Sequence, residues 1–270
     1  MANTTTTEPK QRLRELSREV GGGRNPYLFT VQVSSTKLAH NADVTDEYEQ
    51  IVCYLVPHTM GRKLWQQFVG TRAPWRWRNV CPHSTPGCRA TCLADSGRLG
   101  MSPAKRAMLA RTALFNADES AFWQLAADEI ARHRERVAGN GKRLVVRVDG
   151  TSQVNVEERA PWLLDEFPDV IFQDYAKGPY VTGWSRPNRY VVSSGTERDT
   201  ADSIAGRGNV VFPVDLPAGA PLPPTYMGRP VVDGDLHDLR ILDPQGENVV
   251  MVRVKGHRRD RHGFIRQLVG

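Results

Sequence analysis

No run of apolar residues in this chain approaches the length of a bilayer crossing, so a transmembrane reading fails at the outset. Cysteine is scarce, at four in 270 residues, and three of the four crowd into one loop. That is not the pattern of a secreted disulfide framework, and a reducing cytoplasm is the expected compartment. Residues 1–25, MANTTTTEPKQRLRELSREVGGGRN, lack the apolar core of a secretory signal. They read as a flexible polar tail with a short charged helix and a Gly-Gly-Gly hinge. Missing too are a Walker loop, a nucleophile elbow, a dinucleotide glycine fingerprint, an internal repeat and a clear linker. What remains, residues 26–270, is expected to form a single domain, large enough to bury a substantial core.

Formal charge is +6 and the pI about 9.3, an excess that favours nucleic acid or other polyanions as partners. Much of it sits near the C-terminus in RVKGHRRDRHGFIRQ, which reads either as a phosphate-contacting segment or as a solvated basic edge.

YLFTVQVSS and YEQIVCYLVPH carry β-branched and aromatic residues at strand density. SPAKRAMLARTALFNAD predicts a helix with Ser102 as its N-cap and Pro103 at its first position. A second helix starts near Asp118 and stops at Gly139-Asn140-Gly141. From there short apolar strands (RLVVRVDG, DVIFQDYAKG, RYVVSSGT, NVVFPVD, MVRVKG) alternate with other segments, of which VEERAPWLLDEFP reads as a helix around Pro161 and RDTADSIAGRG as a short helix. The pattern predicts an α/β fold with a mainly parallel sheet covered on both faces. Successive strands end in Asp149 and Thr151, then Asp174 and Lys177, then Ser194, then Asp215, then Lys255. Loops converge at the carboxyl ends of parallel strands, so these groups are candidates for one shared cleft. Asp149, Lys177 and Lys255 are the candidate catalytic groups, and Asp149, Thr151, Asp174 and Ser194 the candidate cofactor-binding groups.

The cysteine-rich loop, residues 81–101, reads CPHSTPGCRATCLADSGRLGM, and Cys81, Cys88 and Cys92 are its candidate metal ligands. Three thiolates can hold three irons of a [4Fe–4S] cluster, leaving one iron open to a substrate or to S-adenosylmethionine. With His83 the same loop becomes a Cys-His-Cys-Cys zinc site, and the chain a non-catalytic module that binds nucleic acid or a host protein. In a third reading the thiols cluster by chance. The C-x6-C-x3-C spacing departs from the C-x3-C-x2-C of radical S-adenosylmethionine enzymes. Cys53, in a strand pattern, reads as a small buried hydrophobe.

CPHSTPGCRATCLADSGRLGM, AKRAMLARTALF, VRVDGTSQVNVE, FQDYAK and VVDGDLHDLRILDP together resemble a bacteriophage family known as gene product 88, over most of residues 50–265. The resemblance implies a phage or prophage origin and action in the cytoplasm of an infected bacterium. The order of cysteine loop, helix and repeated strand–helix units is also similar, at the level of fold, to a partial (β/α) barrel of the radical-S-adenosylmethionine type. An iron–sulfur enzyme acting on a nucleotide or nucleic-acid-related substrate is the expectation that follows.

Two further groups stand out. Asp233, Asp235 and Asp238 surround His237 and suit either Mg²⁺-dependent cleavage or a pair of polar turns, and the turn reading is preferred. APWRWRNV alternates Trp75 and Trp77 with Arg76 and Arg78, which suits base stacking or, more safely, tryptophans in the core with arginines outward.

Overall fold

The computed structural model describes residues 7–34, 36–58, 60–254 and 260–268. Its strands are β1 (Phe29–Val31), β2 (Tyr48–Cys53), β3 (Arg143–Arg147), β4 (Ile171–Ala176) and β5 (Gly183–Arg186), then β6 (Arg189–Ser194), β7 (Val210–Val214), β8 (Thr225–Tyr226), β9 (Arg229–Asp233) and β10 (Val249–Arg253). Its helices are α1 (Thr7–Glu19), α2 (Thr36–Ala39), α3 (Met60–Val69), α4 (Pro86–Ala90), α5 (Ser102–Ala117), α6 (Glu119–Ala138), α7 (Val156–Arg159) and α8 (Pro161–Glu166). The strands join in one sheet in the order β1-β2-β3-β4-β6-β7-β10-β9-β8, with β5 on β6. From β2 to β9 every neighbouring pair along that path is parallel. Antiparallel pairing is confined to β1, β5 and β8. The α/β fold with a mostly parallel sheet is therefore as the sequence predicts, and the sheet is open, ending in β1 and β8.

Alternation along the strands sorts the core into two layers. Ile51, Cys53, Leu144, Val146 and Phe172 face the helices and pack with Leu109, Leu114, Phe122 and Ile130. Val145 and Ile171 lie on the opposite face and pack against Leu239, from the connection between β9 and β10. Tyr190, Val192, Val211 and Val250 continue that face. Where β-branched residues face helices on one side and a covering loop on the other, the strands read as continuous apolar runs, as they do here.

The covering loop is fastened by polar groups. Arg147 Nη1 donates to Asp238 Oδ2 at 3.0 Å, and its guanidinium lies 4.1 Å from the Tyr175 ring centre. Gln173 Nε2 donates to the Asp238 carbonyl at 2.8 Å, and the Asp238 amide donates to Asn41 Oδ1 at 2.7 Å. Asp233 and Asp235 are both held by Arg253, at 2.8 and 2.9 Å, and the Asp235 amide turns back onto Asp233. The three carboxylates thus serve structural turns and ion pairs, the preferred of the two sequence readings.

Three local expectations need correction. The short helix expected in the polar tail runs from Thr7 as α1, but it is packed rather than flexible, because Leu13, Leu16 and Val20 recur at helical spacing and are buried against the core that α5 and α6 build. Ser102 is the first residue of α5 rather than its cap, Met101 occupying the cap position without a side-chain bond. RDTADSIAGRG gives only one 3-10 turn, Asp202–Ile204, since Gly206 and Gly208 both adopt positive φ and end it. Asp118 caps α6 as predicted, accepting from the Ala121 amide at 3.0 Å. Trp65, Trp75 and Trp77 pack edge-on or tilted against one another, with ring centres 4.9 to 5.9 Å apart, which places the tryptophans of APWRWRNV against the core. Among the described residues no helix is long and apolar enough to cross a membrane.

Candidate metal and ligand site

The cysteine loop lies along the carboxyl edge of the parallel strands. The Gln153 amide, beyond β3, donates to the Val80 carbonyl at 2.7 Å, and the Cys81 thiol donates to the Thr151 carbonyl at 3.4 Å. His83 reaches the loop beyond β4, where its Nε2 shares a 3.2 Å hydrogen bond with the Tyr180 hydroxyl and its ring packs over Gly178. Beyond β6, Glu197 accepts from the Gly87 amide at 3.0 Å and from the Thr85 hydroxyl. Thr85 in turn caps α4 by accepting from the Cys88 amide at 3.3 Å. Three successive strand ends therefore fasten one loop.

All four cysteines are thiols. Cys53 is fully buried in β2, and burial pushes its thiol up to about 12, as befits a packed hydrophobe. Cys81, Cys88 and Cys92 are half-buried. Burial pushes the Cys81 thiol up to about 12, and the proximity of Cys92, Asp149 and Cys88 adds to the rise. The three thiols thus share one electrostatic neighbourhood. Among the described residues, however, no three histidine, cysteine or carboxylate side chains are disposed to hold one metal ion.

The other predicted groups separate into two places. Asp149 and Asp174 come together on the helix-facing side of the sheet. The Asp149 amide donates to Asp174 Oδ1 at 2.8 Å, and Arg189 Nη1 lies 3.0 Å from Asp174 Oδ2. Asp149 also accepts from the Ser152 hydroxyl at 2.8 Å and from the amides of Val154 and Asn155 at 2.7 and 3.0 Å, so it shapes the turn that starts α7. Asn155 sits there at φ 56°, a left-handed conformation that this bonding sustains. Burial raises both carboxyls, Asp174 to about 7, while Arg189 opposes the rise of Asp174 and the turn amides that of Asp149. Both line a cavity of about 320 Å³ with Glu157, Glu158, Tyr180 and Arg189. Four carboxylates against one guanidinium make it an acidic cleft.

Lys177 and Ser194 meet at the opposite side of the same edge, Lys177 Nζ donating to the Ser194 hydroxyl with Phe264 5.3 Å away. The Thr151 hydroxyl is spent on the Leu55 carbonyl at 2.6 Å, leaving its own carbonyl to Cys81. Lys255 lies outside the described residues. Sequence reasoning missed Tyr180, Glu197 and Arg189. Glu197 follows the Ser-Gly-Thr strand end directly and could have been found there, whereas Arg189, at the start of a strand, gives no signal.

No curated protein and no solved structure matches the chain. The model of one family, described as gene product 88, matches residues 33–268, which takes in the cysteine loop, the acidic cleft and the Lys177–Ser194 pair. The chain belongs to the gene product 88 family, the phage family that its cysteine loop and strand ends resemble.

Proposed function

We propose that this protein is an iron–sulfur protein of the phage-infected cytoplasm, with Cys81, Cys88 and Cys92 as the ligands of a [4Fe–4S] cluster. The observation that carries this reading is the position of the loop. It places three thiols at the carboxyl edge of consecutively paired strands β3, β4 and β6, where parallel α/β folds gather their chemistry. The donor set suits the group: thiolates are the ligands of such clusters, and binding would have to displace the proton that burial holds on Cys81. Binding also requires the three sulfurs to be drawn together.

A cluster with three protein ligands supplies an open iron for a substrate or for the amino and carboxylate groups of S-adenosylmethionine. The strand order β2-β3-β4-β6-β7-β10, with the loop between the first of these strands and α5, supports a radical-S-adenosylmethionine-like partial barrel as the scaffold. Within it the acidic cleft offers Asp149, Asp174, Glu157 and Glu158 to an ammonium, a sulfonium or the amino edge of a base. Lys177 is placed to pair with a phosphate or carboxylate, held in position by Ser194. A nucleotide or nucleic-acid-related substrate suits both groups.

Anaerobic purification with iron and sulfide analysis tests the reading. The expected product is brown, absorbs broadly near ~400 nm and loses its iron in C88A. A colourless protein holding one zinc overturns it in favour of a zinc-stabilised binding module, and a full cluster in C88A shows that the loop is not the ligand set.

A further inference from the structure

From Gln50 to Ala94 the chain contains no aspartate or glutamate, yet it carries Arg62, Lys63, Arg72, Arg76, Arg78 and Arg89. Such a stretch is unusual in a protein that otherwise intersperses 36 basic with 30 acidic residues. Arg78 is half-buried and turned inward, donating to Glu119 and to the Phe115 carbonyl, and Arg89 turns back onto the Ser84 carbonyl at 3.0 Å. Arg62, Lys63, Arg72 and Arg76 are exposed, and among the described residues none of them is in an ion pair.

The tryptophan cluster ties together the two segments that carry these cations. Trp65 of α3 contacts both Trp75 and Trp77 of the loop that follows, at 4.9 and 5.9 Å between ring centres. Gly61 lies so close to the Trp77 ring that a Cβ there would stand 2.8 Å from it, which binds the start of α3, and with it Arg62 and Lys63, to the segment bearing Arg76. With the tryptophans turned to the core, Arg76 takes the outward position of APWRWRNV, whereas Arg78, expected outward from the alternation, turns back to Glu119. The same segment runs directly into Cys81.

We propose that this face docks the phosphodiester backbone of a nucleic acid and leads it toward the cysteine loop. The proposal deepens the function read above and rests on it only for what is done to the bound strand. Three of the four cations are arginines, whose planar guanidinium engages two phosphate oxygens at once. A stretch free of carboxylates removes the local repulsion that a polyanion would otherwise meet.

The test is fluorescence anisotropy of the full chain with a labelled single-stranded oligonucleotide, and with its duplex, across salt. Four phosphate contacts predict a slope of log K against log salt near −3 on the single strand, so that binding weakens roughly 50-fold between about 50 and 200 mM. In R72Q/R76Q and in R62Q/K63Q the slope should each fall in magnitude by about 1.4, and in the fourfold variant binding should all but vanish. Iron and sulfide are measured on the same samples. A colourless protein that still binds with this slope keeps the docking face and discards the cluster. A protein that binds no oligonucleotide at low salt, or whose two double variants keep the affinity and slope of the parent, overturns the docking face whatever its iron content.

Discussion

Asp238 is the place to perturb the fold. Its carboxylate faces Arg147 on the sheet side opposite the helices, and both side chains are almost wholly removed from water, at 2% and 10% exposure. Removing the acid in D238A leaves a buried guanidinium whose partners among the described residues are the Gly150 carbonyl, at 3.3 Å, and the Tyr175 face. Breaking a buried pair in this way costs about 3–5 kcal/mol. A chain of 270 residues unfolds with an entropy near 0.6 kcal/mol per degree, so the melting temperature should fall by about 5–9 °C. Replacing both partners with apolar residues, in R147M/D238L, removes the orphaned charge and should recover more than half of that loss. Calorimetry on the parent, D238A, R147M and R147M/D238L reads both quantities. A D238A protein melting within about 1 °C of the parent, the range of an ordinary surface change, would refute the reasoning. So would a double variant no more stable than the worse single one, because the loss would then lie in shape rather than in stranded charge.

Further outcomes follow from the site. Asp174 has a carboxyl pushed up to about 7 in the folded chain, against an ordinary unfolded value near 4, so between those limits the folded state holds the extra proton. Its contribution to stability therefore declines as pH rises from about 4 to about 7, at no more than about 1.4 kcal/mol per pH unit. D174N removes that decline, and melting curves of the two proteins that stay parallel over this range would count against it. In G195A the new Cβ would stand 2.2 Å from the Phe212 ring, so the denaturation midpoint should drop by the equivalent of about 1–3 kcal/mol; an unchanged midpoint would mean that the ring yields freely. E197A removes the acceptor shared by Thr85 and Gly87, and alkylation of Cys88 in the metal-free protein should accelerate about tenfold with little change in melting temperature. Equal alkylation rates would show that Glu197 does not anchor the loop. In the parent protein at pH 8, Cys53 and Cys81 should resist the same reagent, since burial keeps both as thiols; prompt labelling of Cys81 would contradict its placement.

How much of this was legible beforehand depended on the range of the interaction involved. The strands and the two long helices α5 and α6 are written in local periodicity, and Asp118 announces its own helix start three residues ahead of the amide it accepts. The polarity of the strand ends was legible, but not its division between two places. In β4 neighbouring residues point to opposite faces, so Asp174 turns toward Arg189 while Lys177, three positions on, turns toward Ser194. One residue of phase separates a group in the acidic cleft from a group outside it, and a sequence pattern carries that phase only where one face is polar. The anchoring of the cysteine loop was illegible for another reason. Glu197 lies 110 residues from Gly87, and only the pairing of β6 between β4 and β7 brings the two together. The packing of the tail was illegible because two leucines among the thirteen mostly charged residues of α1, with Val20 just beyond, look solvated until a partner surface exists for them to cover.

The position of the covering loop bears directly on where chemistry can take place. Strands β2, β3, β4, β6, β7 and β10 pair one after another, an order that in a curved parallel sheet encloses a lumen opening at the carboxyl ends. Here the face opposite the helices is filled along its middle by Leu239, Ile241 and the buried Asp238, Arg240 and Asp243. Gln50 and Gln173 hold that segment in place through its backbone. Among the described residues, that segment covers the middle of the face, whereas the cysteine loop, the acidic cleft and Lys177 lie at the rim, along the carboxyl edge. The ion pair between Arg147 and Asp238 is thus tied to the site although neither side chain lines it. If the covering loop is what confines ligands to the rim, then D238A should admit an apolar fluorescent dye such as ANS to the uncovered face at temperatures well below its melting point. R147M/D238L, with the loop sealed by apolar contact, should not. Equal dye binding by the two variants would mean that the loop holds its place without the pair, and that the confinement comes from Leu239 and Ile241 alone.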